Sequence, residues 1–90
     1  MERLVSIDKV HFPDRVEIIT KYVYYGYLFV MRAFAGKYTI EITKGDLDPE
    51  VIRGNYIDYD YEKLIDNAKK FINSLDLIFI KQERKIKYGN

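Results

Sequence analysis

Apolar and polar residues alternate along residues 37–44, as they do in a strand of a sheet that buries one face. A two-residue turn at Ala35-Gly36 would set the register and place Met31 opposite Ile40. One face then collects the apolar set Phe29, Met31, Ala33, Tyr38, Ile40 and Ile42. The opposite face of the second strand carries Lys37, Thr39, Glu41 and Thr43. The pattern predicts an antiparallel hairpin with strands at about 27–34 and 37–44.

An earlier hairpin is indicated around Phe12-Pro13-Asp14-Arg15, where Pro13 fixes φ at the first central position of a turn. We expect its strands at about 3–11 and 15–24, although the alternation there gives no clear register. Gly26 lies between the two hairpins. It is consistent with a turn, or with a bulge in one long bent strand.

Helical signals follow the sheet. Asp48 to Gly54 reads as a single helical turn, with Asp48 as N-cap and Gly54 as the left-handed stop. Asp60 is the expected N-cap of the main helix, which carries an apolar stripe at helical spacing. The stripe consists of Tyr61, Leu64, Ile65, Ala68, Phe71, Ile72 and Leu75. We expect Phe71, in the middle of the stripe, to be buried against the sheet.

Leu77-Ile78-Phe79-Ile80 fits two structures. Its β-branched and aromatic residues favour a fifth strand, which we prefer, but the segment also continues the helical stripe. The predicted fold class is α+β: an antiparallel sheet of four or five strands, built from two hairpins, with one amphipathic helix packed on one face. Residues 1–90 are expected to form a single domain.

Composition adds a cellular setting. The chain has no Cys and one Gln and is rich in Lys, Ile and Tyr, a trend reported for thermophiles. It predicts a thermophilic archaeon, or a virus of one, as the source. No apolar run approaches the ~20 residues of a membrane helix, and no signal-peptide pattern follows Met1. We therefore expect a cytoplasmic protein without membrane contact.

The residues that could carry chemistry form no recognised site. His11, the single histidine, has no evident catalytic partner. The acidic segments Asp46-x-Asp48-x-Glu50 and Asp58-x-Asp60-x-Glu62 lack the glycine and distal glutamate of a calcium loop. We expect no catalytic residue, metal, cofactor or small-molecule substrate, and hence no enzyme.

Two features suggest nucleic-acid binding as an alternative function. The formal net charge is only +1, but bases are concentrated near the end of the chain. An exposed aromatic sheet face can stack bases, and basic side chains can contact phosphates. The residues that would serve these roles are Tyr22, Tyr24, Tyr25 and Tyr27 on the sheet, and Lys81, Arg84, Lys85 and Lys87 in the tail.

The preferred functional prediction depends on how many faces of the sheet carry large apolar residues. One helix layer covers one side of the sheet, yet the strand at 27–34 carries large apolar residues on both sides. The uncovered side would present Leu28, Val30, Arg32 and Phe34. Exposed apolar patches of this kind mark interfaces. The sequence therefore predicts a non-catalytic adaptor or accessory subunit that binds a larger protein or itself, within a DNA- or RNA-processing or viral complex.

Overall fold

Five antiparallel strands form one sheet in which each strand pairs with its neighbour in sequence. The computed structural model describes the backbone of residues 1–88 and the side chains of residues 1–84. The strands are β1 (Glu2–His11), β2 (Val16–Tyr24), β3 (Tyr27–Phe34), β4 (Lys37–Thr43) and β5 (Glu50–Asn55). The first four strands confirm the sequence prediction to within a residue or so at each end.

Tight turns join β2 to β3 and β3 to β4. Tyr25 and Gly26 have φ angles of 44° and 87°, and Ala35 and Gly36 have 50° and 77°. Two successive left-handed residues are typical of the hairpin turns that match strand twist. Gly26 therefore belongs to a turn and not to a bulge. The irregularity in the sheet lies instead in β1, where the register shifts between Leu4 and Ser6.

The predicted register of the β3–β4 hairpin is confirmed. Met31 lies opposite Ile40 and Phe34 opposite Lys37. The turn between β1 and β2 is also present, and there the Phe12 N–H donates to the Arg15 carbonyl at 2.8 Å.

The predicted helical turn at 48–54 is wrong, because this segment contains β5. Ile52 lies opposite Ile40 and is partly buried against the core. Gly54 does not stop a helix. It makes room for the ring of Tyr38, because a Cβ atom on Gly54 would lie 2.5 Å from the Tyr38 hydroxyl oxygen. Asp48 precedes the strand, and its N–H donates to the side-chain oxygen of Gln82 at 2.9 Å. Pairing with β4 therefore outweighs the local capping signals.

Two helices follow the sheet, α1 (Tyr61–Lys69) and α2 (Ile72–Tyr88), so the prediction of one helix is wrong. Asp60 caps α1 as predicted, and its carboxylate accepts a hydrogen bond from the Glu62 N–H at 3.1 Å. The last turn of α1 tightens, and the Phe71 N–H bonds to the Ala68 carbonyl at 3.0 Å. Such a three-residue bond ends the α-helical spacing.

The preferred strand at Leu77–Ile80 is also wrong, because these residues belong to α2. Phe79 is fully buried there, with its ring centroid 5.8 Å from that of Tyr27. The helix buries Phe79 and leaves Leu77, Ile78 and Ile80 63%, 39% and 39% exposed.

Sheet and helix residues share one buried cluster. Its members are Tyr27, Phe29, Met31, Ile40, Ile42, Leu64, Ile65, Ala68, Leu75 and Phe79. Tyr59 links the segment before α1 to β2, since its hydroxyl lies 2.8 Å from Thr20 Oγ1. Burial raises the pKa of Tyr59.

The expected burial of Phe71 is wrong, because its side chain is 53% exposed. Phe71 lies in the break between the helices, where the chain is not α-helical. Phe79, in α2, lies in the buried core instead. Within residues 1–88, neither helix has the length and apolar character that a bilayer crossing requires.

These two phenylalanines give a test of the fold. Phe79→Ala should lower the free energy of unfolding by about 3–5 kcal/mol, because it leaves a cavity in a closed core. Phe71→Ala should lower it by less than about 1 kcal/mol, because half of that side chain already contacts water. Chemical denaturation of both variants measures the difference. Equal losses, or a larger loss for Phe71→Ala, would contradict the assigned core.

Candidate partner-binding surface

The face of the sheet away from the helices is here called the open face. On β3, alternate residues Phe29, Met31 and Ala33 are buried in the direction of the helices. The residues between them therefore point to the open face. These are the four predicted partner contacts, Leu28, Val30, Arg32 and Phe34. Leu28 is 37% and Phe34 44% exposed. The structure brings all four together on one strand and one face.

Neighbouring strands extend this surface with alternating chemistry. Arg32 lies opposite Thr39, and Thr39 lies opposite Arg53. The two guanidinium groups therefore rise from strands two positions apart, about 10 Å at ~4.8 Å per strand. In the next row, Val30 and Val51 lie on either side of Glu41. The open face is thus a mosaic of apolar and charged side chains.

A groove of about 870 Å³ runs over one end of the open face. Its lining residues include Glu17, Arg32, Phe34, Lys37, Thr39 and Arg53. Sequence reasoning missed Glu17, Lys37 and Arg53 as members of a site. Arg53 was missed because β5 was read as a helical turn. Once β5 is a strand, the alternation of exposed Val51 and Arg53 with partly buried Ile52 gives the face directly.

Glu17 organises the groove. Glu17 is only 9% exposed, and its carboxylate accepts a hydrogen bond from Arg15 Nε at 2.6 Å. The Arg32 guanidinium lies 3.6 Å from the same carboxylate. The bond to Glu17 raises the pKa of Arg15. Glu17 therefore compensates nearby positive charge and holds Arg15 beside Phe34, where the guanidinium carbon is 5.9 Å from the ring centroid.

Lys37 and Arg53 give the groove its remaining positive charge. Within the side chains that the structure describes, neither makes an ion pair shorter than 4 Å. The groove therefore offers an exposed aromatic ring next to two cations. An apolar group with a neighbouring carboxylate would match this arrangement.

The four tyrosines proposed for base stacking do not share one exposed face. Tyr27 is 4% exposed and belongs to the core. Tyr22 and Tyr24 are half-buried on the helix side, where Lys69 Nζ lies 5.1 and 5.0 Å from their ring centroids. Burial raises the pKa of Tyr22. Tyr25 alone of the four is well exposed, in the β2–β3 turn.

The basic tail lies in α2, on the opposite side of the sheet from Phe34. Lys81 and Arg84 are exposed. The side chains of Lys85 and Lys87 lie outside the described residues. The burial of Phe79 with Phe29 places α2 in the helix layer. The tail and the open face are therefore separate surfaces.

The acidic segments are divided among different structural roles. Asp46 and Asp48 are exposed in the β4–β5 connection, and Asp60 is occupied as a helix cap. His11 is exposed at the end of β1, opposite Val16. Among the described residues, no three His, Asp or Glu side chains are grouped so that they could hold a metal ion.

Comparison with protein-family models, with curated protein sequences and with solved structures finds no match for this chain.

The dispersed carboxylates lead to a prediction for metals. Millimolar Ca²⁺, Mg²⁺ or Mn²⁺ should leave the melting temperature almost unchanged. An ion that bound only the folded protein, at a hundredfold over its dissociation constant, would add about 2.7 kcal/mol to stability. Thermal denaturation with and without each ion measures this. A rise of several degrees with one ion would reveal a site that the described side chains do not form.

Proposed function

We propose that this protein is a non-catalytic adaptor or accessory subunit that binds a larger protein through its open face. The observation that carries the proposal is the exposure of Leu28 and Phe34 on the side of the sheet opposite the helices. An apolar group that remains in water adds little to the stability of the isolated domain. Covering it on association contributes about 1.5–3 kcal/mol for a large side chain.

The charges beside Phe34 indicate the chemistry of the partner. Aromatic and arginine residues near the centre of a contact carry much of the binding energy in protein interfaces. The groove places Phe34 next to Arg32, Lys37 and Arg53. The complementary surface is therefore an apolar side chain flanked by Asp or Glu. Rim charges of this kind govern association rate and orientation more than affinity.

Nucleic-acid binding by the tyrosines and the basic tail has weaker support. The tyrosines are split between the core side and a turn, and the described tail residues lie in the helix layer. Contact with nucleic acid through the partner remains consistent with the proposal. Salt separates direct from indirect contact, since affinity carried by phosphate contacts falls steeply as salt rises.

The test is affinity capture from an extract of the source organism. We expect Phe34→Glu to fold normally and to lose the captured protein, because a carboxylate would replace the apolar anchor of the contact. Phe34→Ala should weaken capture in the same direction without adding a charge beside Glu17. Arg32→Glu should have a smaller effect than Phe34→Glu. Circular dichroism and denaturation monitor the fold of each variant.

Phe71→Glu is the matched control, because Phe71 is 53% exposed against 44% for Phe34 but lies between the helices. This variant should retain the partner. Capture should also survive nuclease treatment. Retention of the same partner by Phe34→Glu would contradict the proposal, and so would recovery of nucleic acid alone. Failure of both Phe34 variants to fold would place Phe34 in the domain's own core.

A further inference from the structure

The outer edge of β1 is a long strand edge with apolar side chains in water. β1 has ten residues and pairs with β2 on one side only. Leu4, Val5 and Ile7 are 37%, 47% and 44% exposed. A long, apolar strand edge is a template for pairing with another chain.

The bulge in β1 decides which side chains share a face. Leu4 lies opposite Tyr22 and Ile7 opposite Thr20, both on the helix side of β2. Leu4 and Ile7 therefore point the same way, although a regular strand would send residues three apart to opposite faces. By the same register, Arg3 and Asp8 lie opposite Val23 and Ile19 and share the open face.

This arrangement makes β1 complementary to itself. Two antiparallel copies, related by a two-fold axis perpendicular to the sheet, can place Leu4 of one copy opposite Ile7 of the second. Arg3 then lies opposite Asp8, and Glu2 opposite Lys9, with all partners on matching faces. Each pair occurs twice because of the symmetry. Opposite charges and apolar pairs directly across a strand junction are the favourable combinations.

A neighbouring register lacks this match. A shift by one residue would place Arg3 opposite Lys9 and Leu4 opposite Asp8. Arg3 lies on the open face and Lys9 on the helix side, and Leu4 and Asp8 are divided in the same way, so this register brings neither pair together on a matching face. Glu2 already pairs with Lys69 and accepts a hydrogen bond from Tyr22, so the Arg3–Asp8 pair supplies the accessible charges of the matched register. Within the described side chains, neither Arg3 nor Asp8 makes an ion pair.

We propose that two copies of this protein associate through β1, antiparallel, in the register that pairs Arg3 with Asp8 and Leu4 with Ile7. The two five-stranded sheets would join into one continuous sheet of ten strands. Because the two-fold axis is perpendicular to the sheet, both open faces would lie on the same side. The dimer would thus present two partner-binding surfaces in one plane. This inference uses a different surface from the proposed function and does not depend on it.

Charge reversal tests the pairing. Sedimentation should show the unaltered protein as a dimer, at twice the 10.8 kDa chain mass. Arg3→Asp alone, and Asp8→Arg alone, should each raise the dissociation constant by about tenfold or more, since each converts two attractive pairs into two repulsive ones. The double variant Arg3→Asp with Asp8→Arg should recover the dimer. Lys63→Asp, an exposed reversal on α1, should have no effect.

Cross-linking tests the register without relying on charge. The chain contains no cysteine, so the introduced thiols would be the only ones in the protein. A mixture of Leu4→Cys and Ile7→Cys proteins should form a disulfide-linked heterodimer on oxidation. Neither variant alone should cross-link efficiently. Because of the bulge, two copies of residue 4 would lie about 7 Å apart along the strands and about 5 Å apart across the junction, so their Cα separation exceeds disulfide reach.

Three results would overturn the proposal. The protein could remain monomeric at several hundred micromolar concentration. It could form a dimer that both single reversals leave intact, which would place the contact elsewhere. Or the cysteine variants could cross-link equally well alone and in the mixture, which would exclude the stated register. If a reversal variant does not fold, the cysteine mixture still decides between the outcomes.

Discussion

The structure depends on the two left-handed turns at Tyr25-Gly26 and Ala35-Gly36. Each turn has two residues with positive φ, and each therefore fixes the register of the strands that it joins. Because side chains alternate across a strand, a slip of one residue would exchange the two faces of β3. The turns therefore place Phe29 and Met31 on the face that packs against the helices. The same register places Leu28 and Phe34 on the opposite face of the sheet.

The break between α1 and α2 determines how the helices use the face that they receive. A single uninterrupted helix would carry the stripe through Phe71 and would bury it. In the tightened turn at Ala68–Phe71 the Phe71 side chain is exposed, while Ala68, Leu75 and Phe79 remain buried at helical spacing. The helix layer therefore satisfies the apolar residues on one face of β3 and β4. It leaves the edge strand β1 and the open face uncovered.

The sequence allowed much of the sheet to be predicted, because the β3–β4 hairpin has a turn glycine and a clean alternation in its second strand. The same alternation correctly grouped Leu28, Val30, Arg32 and Phe34 on one side. The failures came from segments whose local signals fit two structures. Asp48-Pro49 and Gly54 resemble helix caps, but non-local pairing with β4 decides for a strand. Two features could not be predicted from any short stretch of sequence, because they depend on strand pairing. One is the grouping of Arg53 with the site, and the other is the bulge that lets two copies of β1 pair with matching side chains.

We infer that the helices cover one face of the sheet and leave the other accessible to a partner. Hydroxyl-radical footprinting of the isolated protein, read out by mass spectrometry, tests it most directly. We expect ready oxidation of Phe34 and Leu28 and strong protection of Phe29 and Phe79 in the folded protein. In denaturant, the three phenylalanines should react alike. Protection of Phe34 equal to that of Phe29 in the folded, isolated protein would contradict the account.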